Sequence, residues 1–226
     1  VSMKISKQTL SMLKNFSDIN MSIEVKAGNT LRTVSVQKNI LAQTDIEETF
    51  PQDFAIYDLS RFLSAASLFD NPDFVFGEKS VRIGTDNDNI NYVYCDPSMI
   101  VTPPEKNITV PDPEVKFRLT QTKLDKILRR GNVLSLPEIS VECNGGSNDR
   151  IVMRAIDSNN DSSDAGLVDL EATANSSFQF IFKIENFKMI PADYDVEISS
   201  KGISRFSLQD KTQYWVANEA SSTYGG

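Results

Sequence analysis

Histidine is absent from the 226 residues. That removes serine–histidine–aspartate triads, histidine general bases and every metal site that needs an imidazole. There are only two cysteines, Cys95 and Cys143, far apart in the chain. They are too few for a structural zinc site. No N-terminal signal of the secreted type precedes them, so we read them as free thiols in a reducing compartment. No apolar run approaches the length of a membrane span, and no membrane partner is expected. Neither glycine-rich phosphate-binding motif is present. The run from Asp157 to Ser162 starts like a calcium loop. Ser162, however, stands where such a loop needs glycine and Val168 where it needs glutamate, so no metal is expected. Carboxylates are plentiful, yet no pair stands out as an acid–base couple. The expectation is a non-enzymatic protein without a cofactor.

Acidic residues outnumber basic ones, 31 to 23, for a net charge of −8. Taken whole, that argues against binding a polyanion. The distribution argues the other way. Leu119–Val133 reads as a helix in which Leu124, Ile127, Leu128 and Gly131 share one stripe. Lys123, Lys126, Arg129 and Arg130 are read as the opposite face. Near the start, Lys4, Lys7 and Lys14 form a second basic stripe, with Leu10, Leu13 and Phe16 mostly on the other side. Seven basic but only two acidic residues fall within 3–20 and 119–133, leaving 16 basic against 29 acidic elsewhere. One basic helix face is ordinarily a solvated surface. Two of them in an acidic chain point to a partner.

Ser6 is a plausible cap for a first helix, Ser6–Asn20. Val1 and Ser2, ahead of Met3, read as an addition to the natural start. Short β-like runs follow between residues 21 and 50, with Ile23 and Val25 alternating. Asp53–Tyr57 reads as a strand, and Asp58 caps a helix over Leu59–Phe69 whose buried stripe is Leu59, Phe62, Leu63 and Ala66. Arg61 lies off that stripe. Phe74, Phe76, Val81 and Ile83 predict a hairpin, and Ile90, Tyr92 and Tyr94 another strand. Five of the nine prolines fall between residues 96 and 114, so that stretch is an extended connector. The expected domains are therefore 3–95 and 115–226.

After the connector the same order recurs. Residues 181–187 align with 56–62 at a constant offset and predict a second strand-to-helix unit, which carries Lys188. Together these features suggest an internal duplication. A hairpin is expected about the turn 144–147, and strands at Tyr194–Ile198, Phe206–Leu208 and Tyr214–Val216. Ser222–Gly226 should fray. Ile100, Val101 and Val110 of the connector, with Trp215, form a candidate groove for a partner's short apolar peptide.

Four segments carry a family resemblance: MKISKQTLSMLKNFSDIN, FAIYDLSRFL, NFKMIPADY and YWVANEASST. In this order they resemble the DNA polymerase sliding clamps, or processivity factors, of T-even-type bacteriophages, within the PCNA-like superfamily. The similarity runs along essentially the whole chain. It implies an α+β fold of two similar clamp domains, helices packed on antiparallel sheet, assembling as a homotrimeric ring. It further implies non-specific encirclement of double-stranded DNA, tethering of the replicative polymerase, and opening by a clamp-loader ATPase. A role with late-transcription factors, in the cytoplasm of an infected bacterial host, also follows from it. On that basis the DNA-facing residues are expected to be Lys4, Lys7, Lys14, Arg61, Lys123, Lys126, Arg129, Arg130 and Lys188. The alternative is a non-enzymatic phage structural or interaction protein with a duplicated β-rich fold.

Overall fold

Three short polar side chains start the three α-helices. Ser6, Asp58 and Thr120 sit in extended backbone and accept from the amides of Thr9, Arg61 and Lys123. Each cap satisfies an amide that the first turn leaves open. The computed structural model describes residues 1–225, in two compact units, Val1–Lys106 and Asn107–Gly226.

The first unit runs β1 (Ser2–Met3), α1 (Lys7–Ile19), β2 (Ile23–Val25), β3 (Gly28–Val34), β4 (Ile40–Phe50), β5 (Phe54–Ile56), α2 (Leu59–Ala66), β6 (Phe74–Phe76), β7 (Ser80–Gly84) and β8 (Asn89–Val93). β1, β6, β7 and β8 pair antiparallel in that order, β2 pairs with β5, and β3 with β4. Helix α1 buries Thr9, Met12, Leu13, Phe16 and Ile19, and α2 buries Leu59, Phe62 and Ala66. Leu10 and Leu63, expected inside, are only half-buried. Helix α2 stops at Ala66, short of Phe69. The amides of Leu68 and Phe69 bond only three residues back, to Ala65 and Ala66, which tightens the end into a turn.

The second unit runs β9 (Val115–Leu119), α3 (Gln121–Val133), β10 (Glu138–Cys143), β11 (Asp149–Ile156), β12 (Gly166–Ala174), β13 (Phe178–Lys183), a single 3-10 turn at Ile184–Asn186, β14 (Tyr194–Ser199), β15 (Ile203–Leu208), β16 (Thr212–Ala217) and β17 (Thr223–Tyr224). β12, β11, β10, β13 and β17 pair in that order, as do β9, β14, β15 and β16. Both units thus follow one plan: a strand, a helix, four strands, a helix or turn, then three strands, to which the second unit adds β17. In both, the opening strand pairs with the first strand after that helix or turn, β1 with β6 and β9 with β14. The duplication is a duplication of topology.

Three expectations need correction. The helix expected after β13 is only one 3-10 turn. Lys183 stands where α2 has its cap Asp58, and it makes no capping bond; an ammonium has nothing with which to accept an amide. The C-terminal residues do not fray: Thr223 and Tyr224 pair with Gln179 and Phe178. Gly226 lies outside the described residues. Finally, Leu119 belongs to β9 and not to α3. Ser2 and Met3 also do structural work, pairing with Val75 and Phe74.

Candidate nucleic-acid interface

Successive helical residues turn by about 100°, which sorts the basic residues of α3. Lys126 and Arg129 lie opposite the buried Leu124, Ile127 and Gly131, and both are exposed. Lys123 and Arg130 lie on the flanks and turn back toward β12. Lys123 Nζ is 3.1 Å from Glu171 Oε2, and its side chain is only 18% exposed. Arg130 Nη1 donates to Leu167 O. Its stem lies across Gly166, where a Cβ would come within 3.0 Å of Arg130 Cβ. Of the four-residue basic face read from the sequence, Lys126 and Arg129 point outward, Lys123 is drawn in, and Arg130 stays exposed while its guanidinium is tied to β12. Helix α3 also sits close on its sheet: a Cβ at Gly131 would stand 2.5 Å from Ile184 Cδ1.

On α1, Lys7 and Lys14 point away from the buried stripe and are exposed. They rim a cleft of about 450 Å³ whose floor is Leu10, Leu63, Ala66 and Phe69, between α1 and α2. Lys4 precedes the helix. It is held 3.3 Å from Asp73 Oδ1 and donates to Asn71 O at 2.5 Å. Arg61 is exposed on α2. Lys188 is exposed in irregular backbone after the 3-10 turn, on no helix.

Lys7, Lys14, Arg61, Lys126 and Arg129 make no ion pair among the described residues. Most strand cations are paired instead, Arg32 and Lys183 excepted. Arg82, Lys116, Arg118, Arg150, Arg154 and Arg205 each face a carboxylate within 3.3 Å. The outward faces of the three helices thus each carry positive charge without an ion pair, and Lys38, Lys79, Lys106, Lys183 and Lys211 are exposed in the same state elsewhere.

Two carboxylates hold those helices in place, and neither was legible in the sequence. Glu48, on β4, accepts from Ser6 N and from Thr9 Oγ1, the latter at 2.6 Å. Asp193 accepts from Gln121 N at 2.8 Å. A carboxylate at a helix N-terminus also meets the positive end of the helix dipole.

The four residues of the candidate peptide groove divide between the units, Ile100 and Val101 in the first, Val110 and Trp215 in the second. The three aliphatic residues are half-buried. The Val101 carbonyl accepts from Asn20 Nδ2 at 3.2 Å. Trp215 is 5% exposed, so the open indole expected at a groove is instead packed away.

Two family models cover most of the chain. The model described as DNA polymerase processivity factor matches residues 5–101, and that described as gp45 sliding clamp, C terminal, matches residues 116–220. The sliding clamp of Vibrio phage KVP40 is 34% identical over 96% of this chain and 100% of its own length. That of Enterobacteria phage T4 is 30% identical over 98% of this chain and 99% of its own.

The chain belongs to the sliding-clamp family of DNA polymerase processivity factors.

Solved structures show the same fold at low identity. The PCNA of A. fulgidus, solved with the C-terminal region of FEN-1 bound, superposes with a TM-score of 0.72 at 11% identity, over 98% of this chain and 99% of that one. The Helicobacter pylori beta clamp, solved with a DNA ligase peptide, gives 0.71 at 13% identity, over 97% of this chain and 65% of that one. These likenesses are of fold alone. The expected α+β architecture of two similar clamp domains, helices on antiparallel sheet, stands.

Proposed function

We propose that three copies of this chain close into a ring around double-stranded DNA, with α1, α2 and α3 turned toward the duplex, and that the ring tethers the replicative polymerase. The observation that carries the reading is the exposed positive charge without ion pairs on the outward faces of these helices, at Lys7, Lys14, Arg61, Lys126 and Arg129. Point cations on exposed helices contact phosphate and read no bases. Each contact is weak and salt-sensitive. That suits a ring that holds DNA by topology and must still slide. The ring is non-catalytic, opened by a clamp-loader ATPase, and works in the cytoplasm of the infected host, where late-transcription factors share it. Partner segments of short apolar sequence engage the connector, at Ile100 and Val101.

The test is a fourfold charge reversal, Lys7→Glu, Lys14→Glu, Lys126→Glu and Arg129→Glu. None of these side chains packs the core, so the melting temperature and native mass should match wild type; surface changes of this kind usually alter stability by less than about 0.5 kcal/mol each. Primer extension on a circular template, with polymerase and loader at low salt, should fall to the length reached without the clamp. Wild-type extension by a folded variant would remove these residues from the DNA-facing surface.

A further inference from the structure

The end of the chain covers the outer edge of β13. Beyond the β17 pairing, Glu219 N donates to Ile181 O at 2.7 Å and Gly225 N to Ser177 O at 2.9 Å. Between them the ladder is broken: Ile181 N donates to a side chain, Ser222 Oγ, at 2.9 Å. The Tyr224 ring lies nearly parallel to Phe178 and Phe180, with centroids 6.3 and 6.1 Å away and planes 20° and 25° apart. Its hydroxyl reaches Ser176 Oγ at 3.3 Å.

This hold is thin. Thr223 and Tyr224 are exposed, whereas Phe178 and Phe180 beneath them are 5% and 1% exposed. The first unit closes its corresponding edge more firmly. There Cys95 N donates to Ala55 O at 2.9 Å, and Tyr94, half-buried, stacks on Phe54 at 5.3 Å. Beside Tyr224 there is also unfilled space, a cleft of about 440 Å³ bordered by Val115, Ile151, Thr173 and Phe178.

We propose that the β13 edge is a strand-addition docking site, that residues 219–225 are its resident occupant, and that an extended partner segment with an aromatic residue two positions after a hydroxyl residue displaces them. The occupant gives the chemistry. A hydroxyl satisfies Ile181 N, the next side chain faces solvent, and a ring covers Phe178 and Phe180. Backbone pairing supplies affinity and the ring supplies selectivity. A partner gains over the tail by filling the cleft, through a ring larger than tyrosine or an apolar residue after it. The tail competes intramolecularly, at high effective concentration, so it masks the edge until such a partner arrives. The seat lies wholly in the second unit and needs neither DNA nor ring closure.

The probe is a fluorescein-labelled peptide copying residues 219–226, followed by anisotropy against the full chain and against a chain truncated after Asn218, which keeps the Asn218 bonds to Gly202 and Ser199. It should bind the truncated chain and bind the full chain at least about tenfold more weakly. Peptides carrying Tyr224→Ala should lose about tenfold, and those carrying Tyr224→Trp should bind more tightly. A truncated chain that keeps its melting temperature yet ignores the probe would overturn the proposal. So would equal binding of the Tyr224→Ala peptide. Should truncation unfold the chain, the full-length Tyr224→Ala variant takes its place. It should bind the wild-type probe more tightly than the wild-type chain does, and unchanged affinity would count against the site. Mixing isotopically distinct full chains and cross-linking the tails tests for exchange between copies. Crossed tails would make a second copy the occupant and overturn the partner reading.

Discussion

At the scale of single residues, Glu48 has the largest leverage on the helix face that carries Lys7 and Lys14. Burial pushes its carboxyl up, but the hydrogen bonds from Thr9 and Ser6 outweigh burial and leave it below its ordinary value of 4.5. A carboxyl whose folded pKa is depressed contributes stability that is fully present above its unfolded pKa. That contribution is lost as pH falls through the folded value. Glu48→Gln should therefore melt below wild type at pH 7, and the gap should close as pH is lowered through and below about 4.5. A gap that stays constant down to pH 3 would show that the carboxylate charge is not what holds α1. The Glu48 contacts span 42 and 39 residues and the Asp193 contact 72, so no local spacing announces them. The demotion of Lys123 and Arg130, by contrast, was legible. At 100° per residue they fall beside the Leu124–Ile127–Gly131 stripe and not behind it, so both come within reach of the neighbouring strand, although Arg130 stays exposed.

At the scale of elements, the sequence shows strands where alternation is clean, as at Ile23–Val25, or where a short apolar run is bounded by polar residues, as at Phe54–Ile56 and Phe74–Phe76. It hides them where alternation breaks. β4 buries Thr44 to 1% exposure amid apolar neighbours. The pairing of β11 with β12 slips register between Ile151 and Val152, and Glu171 on β12 takes a φ of 56°. Such an irregularity throws the side-chain period out of step. Helices follow their caps. The aligned segments 56–62 and 181–187 share apolar positions, yet Asp58 starts eight helical residues while Lys183 precedes only three. The pattern says which face is buried, and the cap decides whether the turn propagates. Asp58→Ala should then cost about 1 kcal/mol. Urea unfolding would show this as a lower midpoint at unchanged slope. An unchanged midpoint would mean that packing of Leu59 and Phe62 alone sustains α2.

At the scale of the whole molecule, each unit keeps a strand of five or more residues at one end of its sheet, the other end being a strand of only two. β8 ends the first unit's four-stranded sheet, and β12 begins the second unit's five-stranded one. Each shows an exposed aliphatic side chain, Val93 at 66% and Leu167 at 42%. An open edge is a template for another chain unless something covers it. Two different edges on one molecule make a head-to-tail contact, which closes into a ring when the rotation allows. In the proposed trimer, β8 of one copy meets β12 of the next, so each copy uses both of these edges at closure. Val93→Asp and Leu167→Asp should each leave the monomer folded, because neither side chain is in the core. Either should lower the mass seen by light scattering on dilution, while wild type persists as a trimer. The double variant should be weaker than either alone, since it sets like charges against each other across the same contact. Primer extension should fall with the loss of trimer, and melting temperature should not. If both single variants remain trimeric at the dilutions where wild type does, the ring is closed by some other pair of surfaces.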